Sequence, residues 1–385
     1  RFFCPIERNR QAVLDGLGPA DVLLVSYGLL LRDRERLAGR PFATAVFDEA
    51  QQLKNATSQR FRAAKALQAD FRVALSGTPI ENHLGELWSL FHLVFPGLFG
   101  SWESFRSRFA AAIEKQLDPE AAPALARVIA PYLMRRTKAE VEPELPARTE
   151  VKVLVSLSAP EWRLYEDTRL AALSELETRR SKLREQERRV DVLAALTRLR
   201  LLASHPRLYD ARSEIVSSKL ERLMELAHEL RAEGQRTLVF SQFTSHLALV
   251  REALDQGGIG YLYLDGQTPA KLRGELVREF QEGAAPLFLI SLKAGGTGLN
   301  LTAASNVIHL DPWWNPAVED QASDRAHRLG QTRPVTIYRL VALGTIEEQM
   351  LTLHARKRAL VTNVFDGDGG PSKLSTDELM GFLRR

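Results

Sequence analysis

Three groups of residues in this 385-residue chain have types and spacings suited to phosphate chemistry. The first is Asp48-Glu49-Ala50-Gln51, two adjacent carboxylates directly after a short apolar run. Such a pair suits Mg²⁺, a hard cation held through one or two carboxylates while substrate phosphates and water complete its shell. Asp48 is assigned to that shell and Glu49 to polarising the attacking water, although alone the pair would read as an N-cap or loop feature. The second group is the stretch Asp311 to Gln331. Asn315 suits a cap, Pro316 a first helical position and Gly330 a left-handed stop, so the spacing predicts one helix from Pro316 to Leu329. On it Gln321, Arg325 and Arg328 fall at i, i+4 and i+7 and share a face suited to gripping phosphate. Without context the same face reads as solvated, with Asp324 paired to Arg328. The third is the glycine-rich run Ser291 to Asn300, where backbone N–H groups can approach an anion and Lys293 adds charge. It is not G-x-x-x-x-G-K-[ST], and a flexible turn is its plain alternative.

The elements that position these groups read as two α/β blocks. In the first, Val22 to Ser26, Thr44 to Phe47 and Arg72 to Leu75 are continuous apolar runs, as expected of strands buried on both faces of a parallel sheet. The last two lead into Asp48-Glu49 and into Ser76-Gly77-Thr78-Pro79-Ile80-Glu81-Asn82, and in open α/β sheets ligands sit beyond the carboxyl ends of strands. From Leu84 to Phe109 helically spaced aromatics imply a helical insertion with its own core. Arg135, Arg136 and Lys138 either contact phosphate or brace the domains. Thr149 to Leu157 alternates as a strand, and Pro160 to Arg200 reads as two charge-rich helices. From Ser217 strands and helices alternate regularly: strands at Thr237–Phe240, Tyr261–Leu264, Leu287–Ile290, Asn306–Leu310 and Val335–Val341 imply βαβ units. The fold class is therefore α/β. Four segments follow: residues 1–83, the later part of a first parallel-sheet domain; 84–216, helical insertions and an inter-domain brace; 217–365, a second such domain; and 366–385, a linker with a short helix.

A net charge of +4 is too mild to identify a nucleic-acid partner. The one cysteine, Cys4, forbids an internal disulfide and leaves no cysteine-based metal site, so it reads as a plain thiol. No apolar run reaches membrane-spanning length and no signal-peptide pattern opens the chain, which points to a cytoplasmic protein without membrane contact.

Asp48-Glu49-Ala50-Gln51, Ser76 to Asn82, Ser241-Gln242-Phe243, Lys293 to Asn300 and above all Asp311 to Gln331 resemble the motifs of the Swi/Snf family of DNA-dependent ATPases, in the second helicase superfamily. The match covers nearly all of the chain in order. It implies two RecA-like domains with helical insertions between them, ATP and Mg²⁺ as cofactors in their cleft, and double-stranded DNA across its top. By the same resemblance Asp48 and Glu49 are the metal-binding and water-activating acids, Gln321 senses the nucleotide, and Arg325 and Arg328 are arginine fingers. Gly296, Thr297 and Gly298 couple the nucleotide cleft to DNA, as do Ser76, Gly77 and Thr78 from the first domain. Ser241, Gln242 and Lys293 contact phosphate, and Trp313 and Trp314 either lie near the groove or pack in the core.

The family also places a Walker A loop ahead of Val22 to Ser26, and no G-K-[ST] precedes Asp48. The chain therefore reads as a fragment whose missing segment lies before Arg1, with little ATPase activity alone. The expected whole is an ATP-driven double-stranded DNA translocase of prokaryotic type that remodels protein–DNA complexes. It is expected to act as a monomer at the nucleoid, with no membrane partner. A strand-separating helicase and a non-catalytic DNA-binding module are the alternatives.

Overall fold

The structure is a computed structural model, which describes residues 2–3, 10–81, 83–115, 118, 120–179, 184–295, 298–355 and 376–384. They form two compact units, one running to Pro131 and the other from Tyr132 through the C-terminal helix. In the first unit β1 (Phe2–Phe3) pairs in parallel with β2 (Val22–Leu23), and β3 (Pro41–Phe47) pairs in parallel with β4 (Gln68–Ala74). The link between β3 and β4 carries helix Gln59–Lys65, started by the Ser58 hydroxyl, which accepts the Phe61 N–H. Beyond β4, helices Leu84–Val94 and Ala121–Ile129 bury the expected aromatic core, in which Phe91, Phe99, Phe105 and Phe109 meet edge-on or tilted.

One expectation for this unit fails. The runs at β3 and β4 read as buried on both faces, yet Val46 is 58% and Leu75 48% exposed. Among the described residues these strands pair with each other alone. Only the inward side, with Phe47, joins the core around Leu53, Phe61 and Leu93.

The second unit is built on a six-stranded, wholly parallel sheet. Its strands are β5 (Arg148–Val155), β6 (Thr237–Ser241), β7 (Tyr261–Leu264), β8 (Leu287–Ser291), β9 (Asn306–His309) and β10 (Val335–Ala342), in the order β5-β10-β9-β6-β8-β7. Residues 84–216, read as insertions and brace, divide between the units, and β5 extends the second sheet by pairing along the whole of β10. The two charge-rich helices are present as Ala159–Arg179 and Glu185–Ser204, and they share a core with the C-terminal helix Thr376–Arg384. The expected linker before that helix lies outside the described residues.

Here the continuous apolar runs are buried on both faces. Leu238 and Phe240 of β6 turn to one core, with Phe288 and Ile290 of β8 and Val307 of β9, while Val239, Leu287, Leu289 and Ile308 turn to the other. Each such side chain contributes roughly 1.5–3 kcal/mol when taken from water. The connectivity also fixes where a ligand can sit. From β6 the chain builds β7 and then β8 on one side, and then crosses to β9 on the other. The loops after β8 and β9 therefore flank the end of β6, where strand order reverses and a crevice opens at the carboxyl edge.

Candidate functional site

In the first unit the acidic pair leaves β3 in a tight, left-handed step. Glu49 has φ +49° and ψ +47°, a conformation that costs a side-chain-bearing residue about 1 kcal/mol and is retained where the surroundings hold it. Three groups hold it here. The Asp48 carboxylate accepts the Glu49 N–H at 2.9 Å, Ala50 N–H donates to Leu75 O at 2.8 Å beyond β4, and Tyr27 Oη donates to Asp48 O at 2.7 Å. Burial beside these acids pushes the Tyr27 hydroxyl up to about 12, so it remains a donor. A chain of contacts then joins the two strand ends. Gln51 Nε2 donates to Glu49 Oε2 at 2.6 Å, Ser76 Oγ donates to Gln51 Oε1 at 2.8 Å, and Thr78 N–H donates to Ser76 Oγ at 3.1 Å. The structure thus brings Asp48, Glu49, Ser76, Gly77 and Thr78 together, with Gln51 as the bridge. Gln51 was quoted as part of the motif without a role, and its place directly after the acid pair is the signal for one. Asp48 is exposed.

At the carboxyl edge of the second sheet, Asp311 organises the loops. It is 3% exposed and accepts Ser241 Oγ at 2.8 and 3.0 Å and Gln242 N–H at 3.0 Å. This corrects one assignment: Ser241, expected on phosphate, is buried, and its hydroxyl serves Asp311. Gln242 is half-buried and Lys293 exposed. Trp313 and Trp314 are half-buried and pack against the two cores, in keeping with the core alternative. Together with Phe243 they surround the Arg200 guanidinium, whose Cζ lies 5.3 to 5.5 Å from the three rings. Arg200 also donates to Pro312 O at 2.9 Å, tying helix Glu185–Ser204 to both loops. Nothing in the local sequence marked Arg200, because its partners are distant in the chain.

The predicted helix Pro316–Leu329 begins as expected and ends early. Asn315 Oδ1 accepts the Ala317 N–H at 3.1 Å and Pro316 opens the first turn, but the helix stops at Ser323. Beyond it the backbone turns through Arg325-N–H to Ala322 O and Ala326-N–H to Ser323 O. The cause is competition for carbonyls. A continuing helix needs Arg325 O and Ala326 O for residues four further on, yet the Leu301 N–H takes the first at 3.0 Å and Gln331 Nε2 the second at 2.9 Å. Gln321 is thus in the helix while Arg325 and Arg328 ride on the turn that follows, and the shared helical face does not exist. Gly330, with φ +93°, serves the later bend into Gln331.

From that turn both arginines reach the glycine-rich loop. Arg325 Nε donates to Gly295 O at 3.0 Å and Arg328 Nη1 to Leu299 O at 3.3 Å. Gly295 is required where it stands, since an added Cβ would lie 2.6 Å from Phe240 Cε1. Gly298 is exposed with φ +37°, and Gly296 and Thr297 lie outside the described residues.

Beneath the turn is a lattice of charge. Arg339 pairs with the buried Glu319 and lies 3.4 Å from Glu150 and Asp320, and Arg148 lies 2.7 Å from Glu150 and 3.1 Å from Asp320. Burial pushes the Glu319 carboxyl up to about 7, against the pull of Arg339. His309, buried among these cations, is held well below the ordinary imidazole range by burial first and then by Arg339 and Arg148. Its Nε2 meets Ser323 Oγ at 2.8 Å and its ring stacks on Phe240. A separate buried pair, Lys219 with Glu347 at 2.5 Å, pins the end of β9 through Lys219 Nζ and Leu310 O. Among the described residues no cluster of three or more His, Cys, Asp or Glu side chains forms a metal cage.

Known proteins share this frame. Residues 7–208 match the family model of the SNF2-related domain, and residues 218–330 that of the helicase conserved C-terminal domain. YwqA of Bacillus subtilis, which its name assigns provisionally to the ATP-dependent helicases/translocases, is 39% identical over 368 residues, covering 94% of this chain and 40% of that protein. The human SWI/SNF-related matrix-associated actin-dependent regulator of chromatin subfamily A member 1 is 32% identical over 386 residues, covering 95% of this chain and 36% of that protein. The chain thus spans well under half the length of these relatives. Among solved structures, the Sulfolobus solfataricus SWI2/SNF2 ATPase core in complex with dsDNA is 34% identical with a TM-score of 0.51, covering 99% of this chain and 80% of that one. With two RecA-like parallel-sheet domains and these motifs in order, the chain belongs to the SNF2-related family.

Proposed function

We propose that this chain is the motor region of an ATP-driven translocase on double-stranded DNA, which remodels protein–DNA complexes. The observation that carries the reading is the turn bearing Arg325 and Arg328, presented beside the glycine-rich loop at the carboxyl edge of a parallel sheet whose central strands are buried. The Sulfolobus relative that shares this core was solved with dsDNA, and the Bacillus relative carries an ATP-dependent name.

In this reading ATP is the fuel. Asp48 holds Mg²⁺, and the residues fit that ion: an exposed carboxylate without a protein cage leaves room for the water and phosphate oxygens Mg²⁺ keeps. The ion would offset charge on the phosphates. Glu49, oriented by Gln51, polarises the attacking water, and the Gln51–Ser76–Thr78 contacts carry its state to the end of β4. Gln321 senses the nucleotide. Arg325 and Arg328 stabilise charge on the transferring phosphoryl group, an effect worth about 10³ to 10⁵ in rate in related systems. Gly296, Thr297 and Gly298 couple hydrolysis to DNA, and Gln242 and Lys293 touch the backbone, which carries no sequence information. The protein works in the cytoplasm on the nucleoid, as a monomer, with DNA-bound proteins as its targets.

The 385-residue chain contains no G-K-[ST] before Asp48, so by itself it should hydrolyse little ATP. The test is duplex-stimulated ATP hydrolysis and triplex-strand displacement by the full-length protein, with the 385-residue chain assayed beside it. Hydrolysis and displacement by the full-length protein support the reading. Unwinding of a forked duplex would replace translocation with strand separation, and DNA binding without hydrolysis would make the protein a non-catalytic module.

A further inference from the structure

The turn that carries Arg325 and Arg328 cannot hold its own shape. Its helical ladder is broken because Arg325 O and Ala326 O are taken by Leu301 and Gln331. What grips it from the other side is the segment leading into β5. Lys138 Nζ lies 2.7 Å from Asp324 Oδ1 and donates to His327 O at 2.7 Å. Arg148 reaches Asp324 at 3.4 Å and Asp320 at 3.1 Å. His327 Nε2 meets Pro146 O at 2.9 Å.

We propose that Lys138 and Arg148 are positioning residues, a cationic clamp that sets the arginine turn and occupies the carboxylates beside it. This inference rests on the proposed role of Arg325 and Arg328 at phosphate. The clamp has two physical effects. It fixes the turn backbone between the two arginines, where a displacement of about 1 Å costs on the order of a hundredfold in rate. It also occupies Asp324, which stands next to Arg325 and four residues before Arg328 and would otherwise compete with phosphate for their guanidiniums.

Magnitude separates this role from simple stabilisation. The side chains of Lys138 and Asp324 are 41% and 35% exposed, and an ion pair at such exposure adds little to folding. Removing Lys138 should therefore leave the melting temperature nearly unchanged while loosening the turn.

The experiment compares wild type, Lys138→Ala, Lys138→Arg and Lys138→Ala with Asp324→Asn. Amide hydrogen exchange across residues 320–331 is measured in the chain, and ATP kinetics and duplex binding in the full-length protein. Lys138→Ala should speed exchange in that segment and lower kcat by about tenfold or more, with KM for ATP and DNA affinity close to wild type. Lys138→Arg should retain activity, and Asp324→Asn should restore part of what Lys138→Ala loses by removing the competing carboxylate. Unchanged exchange in Lys138→Ala overturns the clamp whatever the ATPase result. Faster exchange with unchanged kcat overturns its positioning role. A wild type with normal exchange but no duplex-stimulated hydrolysis overturns the functional reading instead and leaves the exchange result to judge the clamp.

Discussion

The acidic loop of the first unit and the arginine turn of the second are fixed in different ways. Asp48 and Glu49 are held by backbone pairing and by neutral groups, the Tyr27 hydroxyl and the Gln51 amide, at the end of strands with one exposed face. Arg325 and Arg328 sit on a turn pinned by Lys138 and Arg148 through Asp320 and Asp324, above a sheet whose central strands are buried on both sides. The contrast follows from what each element must keep available. In the function proposed above, Asp48 must stay available to Mg²⁺ and water, and the Tyr27 hydroxyl orients its backbone without engaging its carboxylate. A turn rich in both charges would collapse on itself, so outside cations take up its acids.

The largest effect expected from breaking this contrast is on the cationic side. Arg328→Ala in the full-length protein should lower ATP turnover by about 10³-fold or more while duplex affinity stays near wild type. Unchanged turnover would return the turn to a structural role and erase the functional half of the comparison.

Next in size is the support beneath it. Lys219→Met strands the buried Glu347 carboxylate, and losing one partner of such a pair costs about 3–5 kcal/mol. Denaturant unfolding followed by hydrogen exchange should show β6 and β9 losing protection to that extent while β3 and β4, already half-exposed, change little. Equal losses in both units would mean that their stabilities are not separable.

The smallest effect is the pH dependence of the second unit. Burial holds His309 and His246 well below the ordinary imidazole range and His205 down at about 4. For groups depressed on folding the stabilising contribution is present above the unfolded value near 6.5 and is lost as pH falls toward the folded one. Through these histidines the unfolded state binds more protons in that window and the melting temperature should fall between pH 6.5 and 4, opposed by Glu319, whose carboxyl is raised by burial to about 7 and which gains stability as pH falls. Replacing His309 with Asn should flatten part of that slope. The acidic loop contains no histidine, and an equal pH response in β3 and β4 would remove this difference between the units.

Much of this architecture was readable in advance, for reasons that vary by residue. Tyr261–Leu264 and the strands around it were legible because continuous apolar runs between glycine stops have few other fates. The same logic overreached at Val46 and Leu75, since a run of apolar residues states a preference for cover and does not supply it. The acid pair and the arginines were legible by type. The helix through Arg328 was not, because its end is set by Leu301 and Gln331, which compete for carbonyls from outside the local pattern. Gln51, Arg200, Asp311 and Lys138 take their meaning from partners distant in the chain, which spacing cannot reveal. Ser241 shows the converse: correctly placed at a strand end, it faces inward to Asp311.

The ring cage around Arg200 has a practical consequence. Trp313 and Trp314 are two of the five indoles in the chain, and both flank one guanidinium where helix Glu185–Ser204 meets the edge of the sheet. A shift of that helix against the loops would change the field and quenching felt by two chromophores at once. The molecule therefore carries an intrinsic optical reporter of that contact, read from Trp313 and Trp314 without any attached label.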